Sequence, residues 1–308
     1  MKKILVVGSI NMDIVSNVTE FPLPGETIPS KETSFFPGGK GANQAVAAAR
    51  AGANCSMIGA VGEDPFAETL VAALHNDGIA TDQVLRKNGS SGFAIITVNE
   101  AGENHIVLSE GANGKLTAED AAASAGDWAN VYAVLLQNEI AWETTEAVIA
   151  GASAGGTRVL YNPAPAKAIP DAVFPLLDTL ILNETEAAVI TGLAVKDAES
   201  AQAAAKWALA KGTDSVIVTL GEKGCFYKNA QGDTAAVPAY KVKPVDTTAA
   251  GDTFLGAYAA ASAEGLPIEQ ALSFASAAAA LAVTKAGAQS SIPNKAEIEA
   301  FLQNESAK

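Results

Sequence analysis

Short apolar runs alternate with helix-patterned stretches through most of these 308 residues. Strands are expected at 3–8, 55–60, 131–136, 157–161, 179–182 and 215–219. Helices are expected at 40–52, 65–77, 117–125, 141–154, 184–191, 198–211, 252–264, 267–284 and 295–303. A strand that rejoins a sheet after a crossover helix lies parallel to its predecessor, and the helices then cover the sheet faces. The alternation therefore restricts the chain to an α/β fold with a central, mostly parallel sheet. Sheets of this kind bind ligands beyond the carboxyl ends of their strands.

Composition narrows the functional classes. A hydrophobic fraction of 49% supplies a core and argues against disorder. A formal charge of −14 disfavours nucleic acid or an anionic membrane as partner. Any phosphate-binding region must then raise positive potential locally, from helix N-termini, a few lysines or a metal ion. Cys55 and Cys225 stand far apart in apolar, strand-like settings and read as two free buried thiols. That usage suits a reducing cytoplasm, the expected location. The apolar run after Lys3 is too short for a signal peptide, and the alanine-rich run 275–283 is too short and too weakly apolar to span a membrane.

Two segments break the rhythm. Residues 12–36 hold β-type residues around Pro22-Leu23-Pro24-Gly25, and 91–109 read as two strands about the turn Glu100-Ala101-Gly102-Glu103. Together they suit a small sheet acting as a lid on a single domain spanning 1–308; ordinary edge strands and hairpins fit as well.

The stretch Val245-Asp246-Thr247-Thr248-Ala249-Ala250-Gly251-Asp252-Thr253-Phe254 crowds small residues around two carboxylates at the start of a helical pattern. Free N–H groups at such a helix mouth suit an anion. An Asp there is repelled by phosphate unless it has work to do, and the natural work is to take a proton from an attacking hydroxyl. The stretch thus suggests phosphoryl transfer with Asp252 as base. Four further clusters are ambiguous alone. Asn11 and Asp13 follow the first strand at i, i+2 spacing, which aims an amide and a carboxylate to one side, as a polyol requires; a turn also accounts for them. Gly38-Gly39-Lys40-Gly41-Ala42-Asn43-Gln44-Ala45 opens a helix with Lys40 and Asn43 on one face, without Walker A spacing; a tight turn with an exposed Lys also fits. Asn183-Glu184-Thr185-Glu186 fits a capping box between Asn183 and Glu186, or two carboxylates holding Mg²⁺ through water. Thr219 to Gly224 lines a nucleotide or merely turns a hairpin before Cys225–Lys228. His75 and His105 are isolated, with no metal-ligand partner at useful spacing.

Taken with Asn162-Pro163-Ala164-Pro165-Ala166, these segments make the chain resemble ribokinases, within the PfkB family of carbohydrate kinases, from Val6 to about Phe301. The resemblance implies a ribokinase-like three-layer sandwich, a central mostly parallel sheet with a β-sheet lid that also forms a homodimer contact. It implies transfer of a phosphoryl group from ATP to the 5-hydroxyl of D-ribose, with Asp252 as base and the N–H groups of Ala249, Ala250 and Gly251 as anion hole. The matching sugar positions are Asn11, Asp13, Gly39, Lys40, Asn43 and Glu139. The nucleotide positions are Asn183, Thr219, Gly221, Gly224, Gly251 and Ser276, with Ser276 replacing a larger polar residue of some members. Glu186 belongs to a pattern linked with Mg²⁺. A monovalent cation, K⁺, is implied at Asp246, Thr248, Ala282, Lys285, Gly287 and Ser291, mostly through carbonyls. Many ribokinases carry an aliphatic residue where this chain has Thr248. Within the same chemistry stand kinases for 2-deoxyribose, fructose or adenosine; a non-catalytic sugar sensor is the competing class.

Overall fold

The computed structural model describes residues 2–126 and 128–306. The chain opens with β1 (Lys3–Val7), then leaves for β2 (Asn11–Asn17) and β3 (Glu32–Gly38). Helix α1 (Lys40–Arg50) returns it to β4 (Asn54–Val61), and α2 (Phe66–Asn76) leads to β5 (Val84–Arg86). A second excursion forms β6 (Gly92–Val98) and β7 (Asn104–Ser109). The alternation resumes with α3 (Ala118–Ala125), β8 (Val131–Leu136), α4 (Trp142–Ala154), β9 (Arg158–Tyr161) and β10 (Thr179–Leu182). Helices α5 (Glu184–Thr191) and α6 (Ala198–Ala210) precede β11 (Ser215–Thr219), β12 (Cys225–Asn229) and β13 (Thr234–Val237). The chain closes with α7 (Ala250–Glu264), α8 (Ile268–Ala282) and α9 (Lys295–Ser306).

The described residues form two sheets. The larger has nine strands in the order β13-β12-β11-β10-β9-β8-β1-β4-β5, and the smaller has four in the order β3-β2-β6-β7. From β5 to β11 all neighbouring pairs are parallel, and the β11–β12–β13 edge is antiparallel. After β1 the chain runs outward through β4 and β5, then crosses back to β8 on the other side. The β1/β8 junction is thus where strand order reverses, the crevice at which open α/β sheets take ligands.

Strand β1 shows why both faces are covered. Ile4 and Val6 enter one apolar layer, with α1, α7 and α8; Leu5 and Val7 enter the other, with α4 and α6. Its hydrophobicity is continuous because both faces are buried. Helices α1 and α7 approach closely: a Cβ on Gly256 would stand 2.5 Å from the Ala47 Cβ and from the Gln44 backbone oxygen. That contact sets the head of α7 beside the first turn of α1.

The 12–36 and 91–109 segments do form their own sheet, so the edge-hairpin reading gives way. Residues 18–31 between β2 and β3 carry no strand. Helix α7 starts at Ala250, two residues before the expected 252, because Ala249 turns the chain in the left-handed region (φ 60°). Thr219 to Gly224 does turn a hairpin between β11 and β12. Cys55 and Cys225 are free, buried thiols. His105 stacks on Phe21, ring centroids 3.8 Å apart. No helix among the described residues is long and apolar enough to cross a membrane.

Candidate active site

Ser9, Gln137 to Glu139, Asn162 and Asn183 follow the carboxyl ends of parallel strands, and Thr219 is the last residue of one. The head of α7 lies across these ends and, with Lys40, Asn162, Asn183, Glu186 and Thr219, encloses a cavity of about 200 Å³. A cavity of about 210 Å³ faces the opposite, amino ends of β9, β10 and β11. The first is the better candidate site, since it joins strand carboxyl ends to an open helix N-terminus.

Helix α7 begins without a side-chain cap. The Ala250 N–H reaches the Thr247 oxygen only at 3.3 Å, and regular bonding starts with Thr253 N–H to the Ala249 oxygen at 2.8 Å. Ala249, Ala250 and Gly251 line the cavity, as an anion cradle requires. Asp252, the third helical residue, is buried and lines the same cavity. Its Oδ2 accepts from Asn43 Nδ2 at 3.1 Å and its Oδ1 from Gln44 Nε2 at 3.0 Å.

On the other side of Asp252 the sugar candidates converge. Asp13 on β2 lies against Gly38, where a Cβ would stand 2.2 Å from its Oδ2. Burial pushes the Asp13 carboxyl up to about 7; the Glu139 and Asp252 carboxylates add to the rise, and Lys40 opposes it. The Lys40 ammonium is raised chiefly by Asp252; burial opposes this, and Glu139, Glu186 and Asp13 reinforce it. One cation thus balances several carboxylates. Glu139 is held by Ser9 Oγ (2.6 Å) and the Lys40 backbone N–H (3.1 Å). Asn11 accepts through Oδ1 from Asn113 Nδ2 at 2.7 Å, which fixes its amide so that Nδ2 is left as the donor. Gly39 (φ 89°) holds the turn into α1, where a Cβ would stand 2.8 Å from the Asn11 nitrogen.

The nucleotide candidates divide. Asn183 and Thr219 line the cavity, whereas Gly221, Gly224 and Ser276 do not. Gly221 and Gly224 shape the β11–β12 turn; a Cβ on Gly224 would stand 1.9 Å from the Val237 oxygen. Ser276 lies in α8, its Oγ 3.8 Å from Cys225 Sγ. Glu186 completes the capping box with Asn183 and also accepts from Asn162 Nδ2 at 3.0 Å. Burial pushes its carboxyl up, against the Asn183 hydrogen bond and Lys40. Both its oxygens already take N–H donors. This fits water-mediated support of Mg²⁺ better than direct ligation. Among the described residues no group of three or more His, Cys, Asp or Glu is placed to hold a metal.

The candidate K⁺ residues lie where the 245–248 and 283–291 segments meet. Asp246 Oδ1 accepts from Thr248 N–H (2.9 Å) and Oγ1 (2.7 Å), and Oδ2 from Gly287 N–H (2.9 Å). Burial works to raise the Asp246 carboxyl, yet these bonds hold it below the usual carboxylate range. Asp246 thus offers an ionised carboxylate, the hard oxygen donor an alkali cation takes, although both its oxygens already accept from N–H or O–H groups. Ala282 ends α8 with its oxygen accepting from the Lys285 N–H, and the Ser291 hydroxyl donates to the Ala288 oxygen. The Lys285 ammonium points away, to Glu297 at 3.0 Å.

Sequence reasoning missed Gln44, Gln137, Asn113 and Ser9, which hold site residues rather than face the cavity. Gln44 adjoins Asn43 and Gln137 lies two residues before Glu139, but nothing local marks them as mutual partners.

Residues 1–295 match the pfkB family carbohydrate kinase. The ribokinase of Haemophilus influenzae is 40% identical over 304 residues, covering 98% of this chain and 99% of its own. The deoxyribokinase of Salmonella typhi is 36% identical over 301 residues, covering 97% and 98%. The Arabidopsis thaliana ribokinase, solved in complex with ribose and ATP, superposes with a TM-score of 0.91 at 31% identity, over 98% of this chain and 99% of that one. Strand order, the small-residue mouth of α7 and these likenesses agree, and the chain belongs to the PfkB family of carbohydrate kinases.

Proposed function

We propose that the chain transfers the γ-phosphoryl group of ATP to the 5-hydroxyl of D-ribose, giving ribose 5-phosphate and ADP. The observation that carries this reading is the position of Asp252. It lies between the helix mouth and the polar cluster around Lys40, with one amide N–H on each carboxylate oxygen. Asn11, Asp13, Lys40, Asn43 and Glu139 hold the sugar hydroxyls, and Gly39 admits the sugar close to the backbone. Asp252 accepts the hydroxyl proton as the new O–P bond forms. The N–H groups at Ala249, Ala250 and Gly251 face the charge developing on the transferred group, which is preorganised stabilisation. Asn183 and Thr219 contact the nucleotide on the far side of the cavity, with Gly221, Gly224 and Ser276 further out. Glu186 would support Mg²⁺ accompanying ATP through water, and the ion would supply charge neutralisation for the phosphates. Asp246, Thr248, Ala282, Gly287 and Ser291, with the Lys285 carbonyl, would hold K⁺ beside the anion hole. The lid pairs two copies through exposed apolar residues on its strands, among them Phe35, Ile106 and Val107.

The similarity to a deoxyribokinase favours 2-deoxyribose as the second reading. One hydroxyl separates the two sugars, and a site built to hydrogen-bond it discriminates strongly. Coupled ATP-consumption assays across ribose, 2-deoxyribose, fructose and adenosine, in K⁺ and in Na⁺, are expected to give the highest kcat/KM for ribose, with K⁺ activating. A higher value for 2-deoxyribose would transfer the assignment. Asp252→Asn is expected to lose about 10²–10⁴ in kcat while still binding sugar; near-normal turnover would remove Asp252 from the base role.

A further inference from the structure

Gln44 and Gln137 are both fully buried polar side chains in the layer beneath the site. Gln44 Nε2 donates to Asp252 Oδ1 at 3.0 Å, and Gln44 Oε1 accepts from Gln137 Nε2 at 2.7 Å. The three residues come from the first turns of α1, the end of β8 and the head of α7. Gln137 Oε1 has no hydrogen-bond partner and rests against Gly8, where a Cβ would stand 2.0 Å away. Only a glycine at position 8 leaves Gln137 that place.

We infer that Gln44, oriented by Gln137, is a positioning residue for the base. An amide has one donating and one accepting end. Gln137 occupies the accepting end of Gln44, so the donating end must meet Asp252. The reversed amide would set a carbonyl oxygen against a buried carboxylate, acceptor against acceptor. Asn43 donates to Oδ2 in the same way, at 3.1 Å. With one N–H on each oxygen the carboxylate cannot rotate, and its remaining lone pairs stay directed at the cavity. A pair serving stability alone gains nothing from an unsatisfied buried carbonyl on Gln137, since apolar residues of like volume fill such space without loss. The arrangement therefore serves geometry, and the role rests on Asp252 being the base.

The test uses unbranched, volume-matched substitutions in the full chain, with thermal unfolding of each variant recorded alongside. Gln44→Met is expected to lower kcat about ten- to a hundredfold, the scale of one hydrogen bond to a charged group. The KM for ribose and for ATP should stay within about threefold, because the lost contact faces the base and not the ligand. Gln137→Met is expected to cost about three- to tenfold in kcat alone and less than about twofold when added to Gln44→Met, since the second residue acts only through the first. A wild-type kcat in Gln44→Met, or multiplicative losses in the double variant, overturns the proposal. If Gln44→Met does not fold, Gln137→Met decides the matter by its kcat at unchanged KM, and a wild-type kcat there overturns it as well. Asp252→Asn separates the two ideas: turnover retained in that variant sinks the base reading. Turnover lost there but kept in Gln44→Met sinks the positioning role alone.

Discussion

Asp13 carries the clearest electrostatic signature among the site residues. Burial raises its carboxyl to about 7, with Glu139 and Asp252 adding to the effect and Lys40 opposing it. In the unfolded chain the same carboxyl titrates near the ordinary value of 3.8. Between those values the folded state holds a proton that the unfolded state has released. Stability therefore falls as pH rises from about 3.8 through about 7, and is recovered on acidification. Function runs the other way, because the ionised carboxylate is the stronger acceptor for sugar hydroxyls. The KM for sugar should rise as pH is lowered from 8 to 6. Asp13→Asn should abolish that dependence, raise KM about ten- to a hundredfold, and raise the Tm of the ligand-free protein by roughly 2–5 °C at pH 8. A pH-independent KM in the unsubstituted protein would show that Asp13 does not hold the sugar.

Two helices at the cavity start in contrasting ways. Helix α5 is capped by Asn183 and Glu186, whose side chains take each other's backbone N–H groups. Helix α7 has Ala249 at its start, with φ 60° and no side-chain cap. Left-handed geometry costs an alanine about 1 kcal/mol, and such strain is retained where the surroundings or the function require it. The result is a helix mouth with donors left for an anion. Gly251 separates structure from chemistry here, because a Cβ added to it meets nothing within 4 Å. Gly251→Ala should fold with a Tm within about 2 °C of the parent, since an exposed helical position tolerates alanine. Its methyl group would stand in the cavity, and kcat should fall by about tenfold or more, on the scale of an impaired anion-hole donor. Equal loss of Tm and kcat would mean that Gly251 matters for packing alone.

At the level of the whole molecule the lid carries most of the large exposed apolar side chains among the described residues. Its edge strand β7 presents Ile106 at 57% and Val107 at 65% exposure, and β3 at the other edge presents Phe35 at 55%. Unpaired apolar edges invite pairing with another chain, and the partner proposed above is a second copy. Light scattering should give about twice the 31.2 kDa chain mass, and Val107→Glu should return it toward the single-chain value. An unchanged mass in that variant would place any dimer contact elsewhere.

The α/β plan was legible in the sequence because periodicity and capping act over a few residues. Strands 131–136, 179–182 and 215–219 occupy the expected residues, and Asn183 and Glu186 form the capping box their spacing suggests. The lid was visible as a break in rhythm, whereas β5, only three residues long, and β13, with alternate residues exposed at the sheet edge, did not stand out. What the strand order and the helix crossings settled is which distant side chains meet. Gln44 finds Asp252 across 208 residues and Gln137 across 93, because α1 and α7 pack through Gly256 beside the end of β8. The raised Asp13 carboxyl has the same origin. Desolvation on β2 combines with repulsion from α7 and from the loop after β8, against Lys40 on α1, and no local pattern encodes that sum.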